Sequence, residues 1–372
     1  MPKVATLEEL QQRRSQKWSG YDDGVIAATV AEMDFALAEP IAAVLRDAVS
    51  RGDLGYAPGV PDSLRTAFAG FAERRLGWRV DPERLTLVPD VMVGLIELCR
   101  LIAPGGSVGF ATAGYPPFFL QLPAAGFSLV HLPLHDDRSF DLEKLTAELQ
   151  RGLKVLILAN PHNPTGRTLP YAELEQIADL CVSYGAWVLA DEIHAPMVLP
   201  GAKHVPWFEV SDAARECGIS LTSASKAFNL AGLKAALMVT ASDRAQDVVR
   251  RMPFTADQVG LLGVLAAEVA FSSCDDWLDD VLRQLDRNRT VLGDLLPDAI
   301  TWTPPQATYV AWLDCTATGL SDPAQFFLEK ARVALSPGHT YDPAAVTHAR
   351  LNFGTSEELL TEMLTRMSKA LG

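Results

Sequence analysis

The sequence predicts an α/β protein with a mainly parallel sheet and a smaller α+β domain at its C-terminus. From about residue 85, short apolar runs alternate with helical patterns, and parallel strands buried on both faces have this appearance. After a helix-like segment at 275–295, the pattern changes to strand, helix, strand, which indicates a separate unit. The length of 372 residues also exceeds the size of a typical single core. We therefore expect two domains.

The predicted elements of the larger domain begin with a strand at 85–88 (LTLV), a helix at 91–102 (VMVGLIELCRLI) and a strand at 107–111 (SVGFA). Four more apolar runs are candidates for buried strands: 154–160 (KVLILAN), 186–192 (AWVLADE), 218–224 (GISLTSA) and 235–241 (AALMVTA). Three of these runs end in Asn160, Asp191 and the SASK segment at 223–226. Ligands bind beyond the carboxyl ends of strands in open parallel sheets, so these ends predict one site.

The smaller unit is predicted from TYVAWLDC at 308–315, a helix, and THARLNFG at 347–354. The first 35 or so residues contain no complete supersecondary unit. We expect them to form an arm that packs on the small domain or on a second subunit. The predicted boundaries are therefore 1–38 for the arm, counted with the small domain, 39–275 for the large domain and 276–372 for the small C-terminal domain.

The composition excludes several classes of partner. The formal net charge of -14 repels phosphate backbones and anionic lipids, so neither nucleic acid nor a membrane is expected as a partner. The longest apolar stretch, 259–271, is too short to cross a bilayer, and the charged N-terminus does not resemble a secretory signal. The five cysteines are scattered without metal-binding spacing, which predicts reduced thiols in a cytoplasm and no metal site.

Three polar residues at the strand ends have two interpretations each. Lys226, in TSASKAFNLAG, is either a nucleophile with a lowered pKa or an ordinary lysine at the start of a helix. Asp191 is either a helix cap or a carboxylate placed against a cationic ligand. Asn163 lies in NPHNPTG, where two X-Pro steps and a glycine predict a rigid turn that could also hold an amide for ligand recognition.

The motifs NPHNPTG, DEIH, SASKAFNLAG and ARLNFG, in this order and spacing, resemble the aminotransferase class I/II family of fold-type I enzymes that use pyridoxal 5'-phosphate (PLP). Further segments are similar to its cystathionine β-lyase and carbon-sulfur lyase branch: RRSQKW, AEMDF, GYAPG, GYPPF and DEIHAPMVL. The resemblance spans about residues 13–353. It implies the three-layer αβα fold of PLP-dependent transferases.

The resemblance assigns roles around the PLP ring. It makes Lys226 the Schiff-base lysine and Asp191 the partner of the pyridinium nitrogen, which a carboxylate keeps protonated. Asn163 would donate to the ring hydroxyl oxygen and also contact the substrate, and Tyr115 would stack on the ring, although a core tyrosine is the alternative. His194 stands where many aminotransferases have tyrosine, so it either contacts the ring hydroxyl or only packs.

The resemblance also assigns a site for the phosphate group. Its donors would be the backbone amides of Val91 and Met92 at a helix start, together with the hydroxyls of Ser223 and Ser225. Lys234 stands where many relatives have arginine and could neutralise the phosphate, or it is an ordinary solvated lysine. Tyr56, in LGYAPG, matches a tyrosine that reaches the phosphate from the neighbouring subunit, which implies a homodimer with shared sites.

For the substrate, the resemblance makes Arg350 the two-pronged partner of the α-carboxylate; an ordinary surface arginine is the alternative. Asp34, in AEMDF, would be a substrate contact at the entrance, or the N-cap of a helix that begins near Glu39.

These roles predict β-elimination from L-cystathionine or another cysteine S-conjugate, which yields a thiol, pyruvate and ammonia. One competing hypothesis is an aminotransferase that acts on an L-amino acid and a 2-oxo acid with the same residues. Another is a PLP-fold regulator or binding module with little turnover. The intact Lys226 and Asp191 and the acidic charge argue against the regulator.

Overall fold

A computed structural model describes residues 3–372. Its helices are α1 Leu7–Gln11, α2 Glu39–Ser50, α3 Asp62–Phe71, α4 Val91–Ile102, α5 Pro116–Ala124, α6 Leu142–Gln150, α7 Tyr171–Ser183, α8 Asp212–Cys217, α9 Ala224–Ala227, α10 Asp243–Val249, α11 Leu261–Ser273, α12 Asp275–Leu295, α13 Pro323–Ala331 and α14 Glu357–Leu371. Its strands are β1 Ile26–Ala28, β2 Leu85–Val88, β3 Ser107–Thr112, β4 Ser128–Pro133, β5 Val155–Ala159, β6 Trp187–Asp191, β7 Gly218–Thr222, β8 Ala236–Thr240, β9 Thr301–Trp302, β10 Val310–Asp314, β11 Val333–Pro337 and β12 His348–Asn352.

The larger sheet contains seven strands in the order β2-β8-β7-β6-β5-β3-β4. All of them run in one direction except β8, which is antiparallel to both of its neighbours, β2 and β7. The predicted, mainly parallel sheet is therefore confirmed. The apolar run at 235–241 forms a strand as predicted, but this strand departs from the parallel pattern of the others.

Both faces of this sheet are covered by helices. Along β5, Val155 and Ile157 contact one apolar core while Leu156 and Leu158 contact the other, as the two-residue period of a strand requires. The first core also contains residues of α4, α5 and α10, and the second contains residues of α6, α7, α8 and α11. This is the three-layer αβα arrangement that the sequence predicts.

Many helices are preceded by a residue whose side chain accepts a hydrogen bond from a backbone amide of the first turn. Without this N-cap, the amide would have no acceptor within the helix. These N-caps are Thr6, Asp90, Asp141, Ser211, Ser223, Ser242, Asp322 and Ser356. Two of them, Asp90 and Ser223, precede α4 and α9 at the carboxyl edge of the large sheet. The capping residues therefore fix helix starts that face the candidate site.

The smaller sheet has five strands in the order β1-β11-β12-β10-β9. Strand β1 comes from the N-terminal region and pairs in parallel with β11, so that Ile26 lies opposite Val333. The other pairs are antiparallel, and α13 and α14 pack against β11. The domain boundaries themselves stay a prediction. Within residues 3–372, no helix combines the length and the apolar character needed to span a membrane.

Candidate functional site

A cavity of about 440 Å³ lies at the carboxyl ends of the parallel strands. Polar side chains reach it from Asp191 at the end of β6, Asn163 after β5, and Ser223, Ser225 and Lys226 after β7. Its wall also contains other residues that the sequence predicts for the site: Val91, Met92, Tyr115, His194 and Lys234. The structure thus brings ten of the predicted site residues to one cavity, as the convergence of strand ends requires.

Asp191 and Lys226 are the acid and the amine of this cavity. Burial raises the pKa of Asp191 to about 6, against the hydrogen bond from the Ile193 amide and the positive charge of Lys226. Burial, and after it the positive charge of the Arg350 guanidinium, lowers the pKa of Lys226 to about 8. A substantial fraction of this amine is therefore neutral near pH 8, the form that attacks a carbonyl carbon.

The Lys226 amine is held by a backbone carbonyl from the N-terminal region. Its Nζ donates to Ala31 O over 3.1 Å, and the Tyr309 hydroxyl donates to the same oxygen over 2.9 Å. Ala31 itself lines the cavity. Residues far apart in the sequence therefore fix the direction of the Lys226 side chain.

His194 is buried in the cavity wall, where its ring lies edge-on to Tyr309 with centroids 6.3 Å apart. Burial, followed by the charges of Lys226 and Arg350, lowers the pKa of His194 to about 3, so the imidazole is neutral at physiological pH. Its Nδ1 is buried and has no hydrogen-bond partner among the described residues. A buried ring nitrogen in this state is costly unless a ligand pairs with it.

The start of α4 forms one end of the cavity. Val91 and Met92 occupy its first two positions, whose amides have no acceptor within the helix. Asp90 caps the helix by accepting from the Val93 amide over 2.8 Å, and its other oxygen lies 2.8 Å from Lys234 Nζ. Lys234, in the left-handed backbone region, is therefore paired with a carboxylate here, which the sequence does not predict.

The serines beside this helix start are bonded to each other. Ser223 Oγ accepts from the Ser225 amide over 3.0 Å, lies 2.7 Å from Ser225 Oγ and donates to Ala235 O over 2.6 Å. Both serines line the cavity with Lys234. Helix amides, hydroxyl groups and a cation at one end of a cavity form a favourable environment for an anion.

Arg350, in the middle of β12, lies next to the cavity. It is buried, its Nη1 donates to Asn163 Oδ1 over 3.0 Å, and its Nη2 donates to Thr29 O over 2.7 Å. Its guanidinium carbon lies 4.9 Å from the centre of the Tyr341 ring, and its Nε is buried without a partner among the described residues. Because Arg350 occupies Asn163 Oδ1, the amide nitrogen of Asn163 remains as the donor toward the cavity.

The turn that carries Asn163 is held tightly against the chain at 305–307. Gly166 has φ +67°, and a Cβ at this position would lie 2.3 Å from Pro305 Cβ and 2.9 Å from Ala307 O. Gly166 O accepts from the Gln306 and Ala307 amides. The glycine of NPHNPTG is therefore required both by its conformation and by the close approach.

Besides Arg350, two predicted residues, Asp34 and Tyr56, do not line the cavity. Asp34 is buried, with one oxygen 2.8 Å from Lys17 Nζ and the other accepting from Trp18 Nε1 over 2.9 Å. Both oxygens of Asp34 are thus bonded away from the cavity, and its role as a substrate contact stays a prediction. The N-cap alternative is wrong, since α2 begins after Ala38. Tyr56 is 94% exposed on the surface of this chain.

Four residues near the cavity were not identified from the sequence. Asp90 could have been found as an N-cap before the apolar helix 91–102. Tyr309, Asn352 and Asn229 instead bond to the backbone of residues 30–33, and no local pattern in the sequence signals such contacts. They were missed because their partners lie far away in the sequence.

A larger groove of about 870 Å³ lies between residues 74–77 and 195–206. Its arginines, Arg74 and Arg75, are paired with Asp275 and Asp279, and His204 is bonded to Glu192. The groove therefore offers few uncompensated charges. The smaller cavity contains the acid and the amine whose pKa values burial shifts toward neutrality, so it is the candidate active site.

Comparison with known proteins gives consistent matches. The sequence model of the family described as "Aminotransferase class I and II" matches residues 25–367. The cystathionine beta-lyase of Corynebacterium glutamicum is 33% identical over 98% of this chain and 99% of its own length. Cystathionine beta-lyase PatB of Bacillus subtilis (strain 168) is 34% identical, covering 98% of each chain. The PLP-bound C-S lyase of Staphylococcus hominis superposes with a TM-score of 0.89 at 26% identity over 99% of each chain.

Proposed function

Because this chain belongs to the aminotransferase class I and II family, we propose that its cavity binds PLP and catalyses β-elimination from cysteine S-conjugates. The chain is a PLP-dependent carbon-sulfur lyase of the cystathionine β-lyase type. From L-cystathionine it releases homocysteine, pyruvate and ammonia. The observation that carries this function is the convergence of the Lys226 amine and the Asp191 carboxylate on one cavity, with Arg350 beside it.

The polar groups of the cavity fit PLP. A cavity end with the α4 amides, Ser225 and Lys234 suits the phosphate, and a neutral amine suits the aldehyde. The unpartnered His194 Nδ1 and the free amide of Asn163 would face the ring or its hydroxyl, and Asp191 would pair with the ring nitrogen. Tyr115 would pack on the ring. Each of these roles is a proposal for this chain.

Lys226 and Asp191 divide the proton chemistry. When bound, PLP withdraws electrons from the substrate Cα through its cationic ring, which makes the Cα proton acidic. The Asp191 carboxylate would keep the ring nitrogen protonated, and the positive charge of that nitrogen would in turn favour the ionised form of the buried acid. The Lys226 amine, once free, removes the Cα proton.

Arg350 would bind the α-carboxylate of the substrate, because its buried guanidinium keeps an unpaired Nε and is already oriented by Asn163 and Thr29. As the Cα proton leaves, the bond from Cβ to sulfur breaks and a thiolate departs. Water then converts the remaining three-carbon fragment to pyruvate and ammonia. The substrate is thus selected by its amino-acid end and by a leaving group on Cβ.

The decisive experiment measures pyruvate and free thiol released from L-cystathionine and S-alkyl cysteines by purified protein loaded with PLP. We expect one pyruvate for each thiol without an added 2-oxo acid. D-cystathionine is the matched control substrate. No pyruvate from any of the L-substrates, or turnover that requires a 2-oxo acid and leaves the amino form of the cofactor, would reject elimination in favour of an aminotransferase.

We also propose that the chain forms a homodimer with shared sites. Tyr56 is 94% exposed and Phe254 is 79% exposed, which is unusual for large apolar side chains and suits a surface that a second subunit covers. The arm 1–38 would belong to the small C-terminal domain (276–372), next to the large domain (39–275).

The cellular setting is a separate proposal. Each of the five cysteines is free and buried, which supports a cytoplasmic location. Release of homocysteine would place the enzyme in sulfur amino acid metabolism, before the methylation that forms methionine.

A further inference from the structure

The backbone of a short segment between β1 and α2 accepts hydrogen bonds from both Lys226 and Arg350. We call residues 29–34 the N-terminal strap. Its carbonyl oxygens accept hydrogen bonds from Arg350 (at Thr29), Asn352 (at Val30 and Glu32), and Lys226 and Tyr309 (both at Ala31). Asn229 bonds to both the amide and the carbonyl of Met33. The position of the strap therefore decides where the Lys226 amine and the Arg350 guanidinium point.

The far end of the strap is fixed by a buried ion pair. Lys17 Nζ lies 2.8 Å from Asp34 Oδ2, and each side chain is only 1% exposed. The same Nζ donates to Glu32 O over 3.1 Å, and Trp18 Nε1 donates to Asp34 Oδ1 over 2.9 Å. One ammonium group thus joins two points of the strap to the region before β1.

An ion pair this deeply buried adds little to stability by itself. Removing both charges from water costs several kcal/mol, and well-packed apolar residues of similar size are often as stable or more stable. The pair instead fixes the position of the strap, because one ammonium group is bonded to two acceptors on it. Catalysis is sensitive to such placement, since a misplacement of about 1 Å can lower a rate about 100-fold.

We infer that Lys17 and Asp34 are positioning residues that hold the strap so that Ala31 O orients the Lys226 amine and Thr29 O orients the Arg350 guanidinium. Neither residue touches the cavity. In this structure the Lys226 amine donates to Ala31 O. The amine must also be free of the cofactor when it removes the Cα proton, and Ala31 O would then be available to orient it. The inference rests on the proposed roles of Lys226 and Arg350.

The test uses three full-length variants. Asp34→Asn keeps an acceptor for Trp18 but removes the charge, and Lys17→Met/Asp34→Leu replaces the pair with apolar side chains that leave no unpaired buried charge. Leu145→Ala, in the buried face of α6, is the control for lost stability, because this residue is buried but does not line the cavity. The thermal midpoint of each variant is measured first. Rates are then compared at temperatures that lie the same number of degrees below each midpoint.

Two readouts follow. The first is the rate at which PLP-free protein captures PLP at Lys226, followed by the visible absorbance and by borohydride trapping with peptide mass analysis. The second is kcat and KM for thiol release. For both strap variants we expect capture and kcat to fall about tenfold or more. The double variant should show this loss although its thermal midpoint stays near that of the wild type. Leu145→Ala should keep the wild-type capture rate and kcat.

The inference is overturned if the double variant folds and captures PLP at the wild-type rate with an unchanged kcat. It is also overturned if the capture rate and kcat of Leu145→Ala fall as much as those of the strap variants, when all are measured equally far below their thermal midpoints. Should the wild-type protein capture PLP but release no thiol, the proposed function fails, whereas the capture rate still tests the strap.

Discussion

Arg350 and Asn163 are 187 residues apart in the sequence, yet Nη1 of the arginine donates to Oδ1 of the asparagine over 3.0 Å. The contact joins β12 of the small sheet to the turn after β5 of the large sheet. Each side chain thereby orients the other: the arginine keeps Nε unpaired, and the asparagine keeps its amide nitrogen for the cavity. The proposed carboxylate site and ring site are thus built as one unit.

Arg350→Ala should mainly harm recognition of the substrate. A lost hydrogen bond to a charged group costs about 1.5–3 kcal/mol, so kcat/KM for thiol release should fall about 10- to 100-fold, with most of the change in KM. Arg350→Lys should recover only part of this, because a point charge does not reproduce the planar fork. Steady-state kinetics measures both, with the exposed Arg46→Ala as the control. An unchanged KM in Arg350→Ala would contradict the assignment.

Lys226→Ala should abolish both covalent cofactor binding and turnover. The side chain supplies the only amine we assign to the aldehyde and to the Cα proton, so its loss removes both steps. We expect no visible absorbance band after incubation with PLP and no pyruvate from L-cystathionine. Lys330→Ala, an exposed lysine of α13, should behave like the wild type. A visible band that persists in Lys226→Ala would assign the cofactor to another residue.

Asp191→Asn should change the pH dependence of stability of the PLP-free protein. Burial raises the pKa of Asp191 from 3.8 to about 6, so the folded protein disfavours the ionised form. The free energy of unfolding should therefore decrease as pH rises from about 4 to about 6, and the asparagine variant should lose this contribution. Urea unfolding at several pH values measures the difference.

The Asp191→Asn variant should also bind PLP more weakly, because the ring nitrogen loses its counter-charge. A PLP affinity equal to that of the wild type would reject the pairing of Asp191 with the ring nitrogen.

The rate of PLP capture should depend on the protonation of Lys226. Since burial, and then Arg350, lowers the pKa of this amine from 10.5 to about 8, the reactive neutral form increases with pH around 8. The capture rate should rise with a midpoint near pH 8. Arg350→Gln should move that midpoint upward, because a positive charge that opposes the ammonium is removed. A midpoint near 10.5 in the wild type would mean that the amine is not desolvated.

Much of the large sheet could be predicted because its strands are buried on both faces and therefore appear as short apolar runs. The antiparallel direction of β8 could not be predicted, since a buried strand appears as the same kind of apolar run whichever way it runs in the sheet. Strand β4 was missed because SLVHLP mixes polar and apolar residues and is largely half-buried or exposed. Asn160 and Asp191 were placed correctly at strand ends from the apolar runs that precede them.

The cavity residues were predicted mainly from motif resemblance, and the contacts between them were not. Lys226 and Arg350 bond to the backbone carbonyls of Ala31 and Thr29, and a carbonyl group has no signature in a sequence. The ion pair of Asp34 with Lys17 was missed for the same reason, because Lys17 lies in a region without a regular pattern. Tertiary contacts between distant segments decide these details.

The shared-site dimer can be tested by mixing two impaired variants. In the proposed dimer, each site combines Lys226 of one chain with Tyr56 of the other, although Tyr56 is 94% exposed in the single chain. A hybrid of Lys226→Ala with Tyr56→Ala then has one site with both changes and one site with neither. Random mixing makes half of the dimers hybrids, so about a quarter of wild-type activity should appear.

This result separates the shared site from a dimer whose sites are independent. If Tyr56 served the site of its own chain, or none, every site with an intact Lys226 would keep the activity of the Tyr56→Ala parent, and mixing would give no gain over the average of the parents. PLP affinity provides a second measurement. Tyr56→Ala should bind PLP more weakly than the wild type because the phosphate loses a hydroxyl donor, and half of the intact lysines in the mixture should regain wild-type affinity.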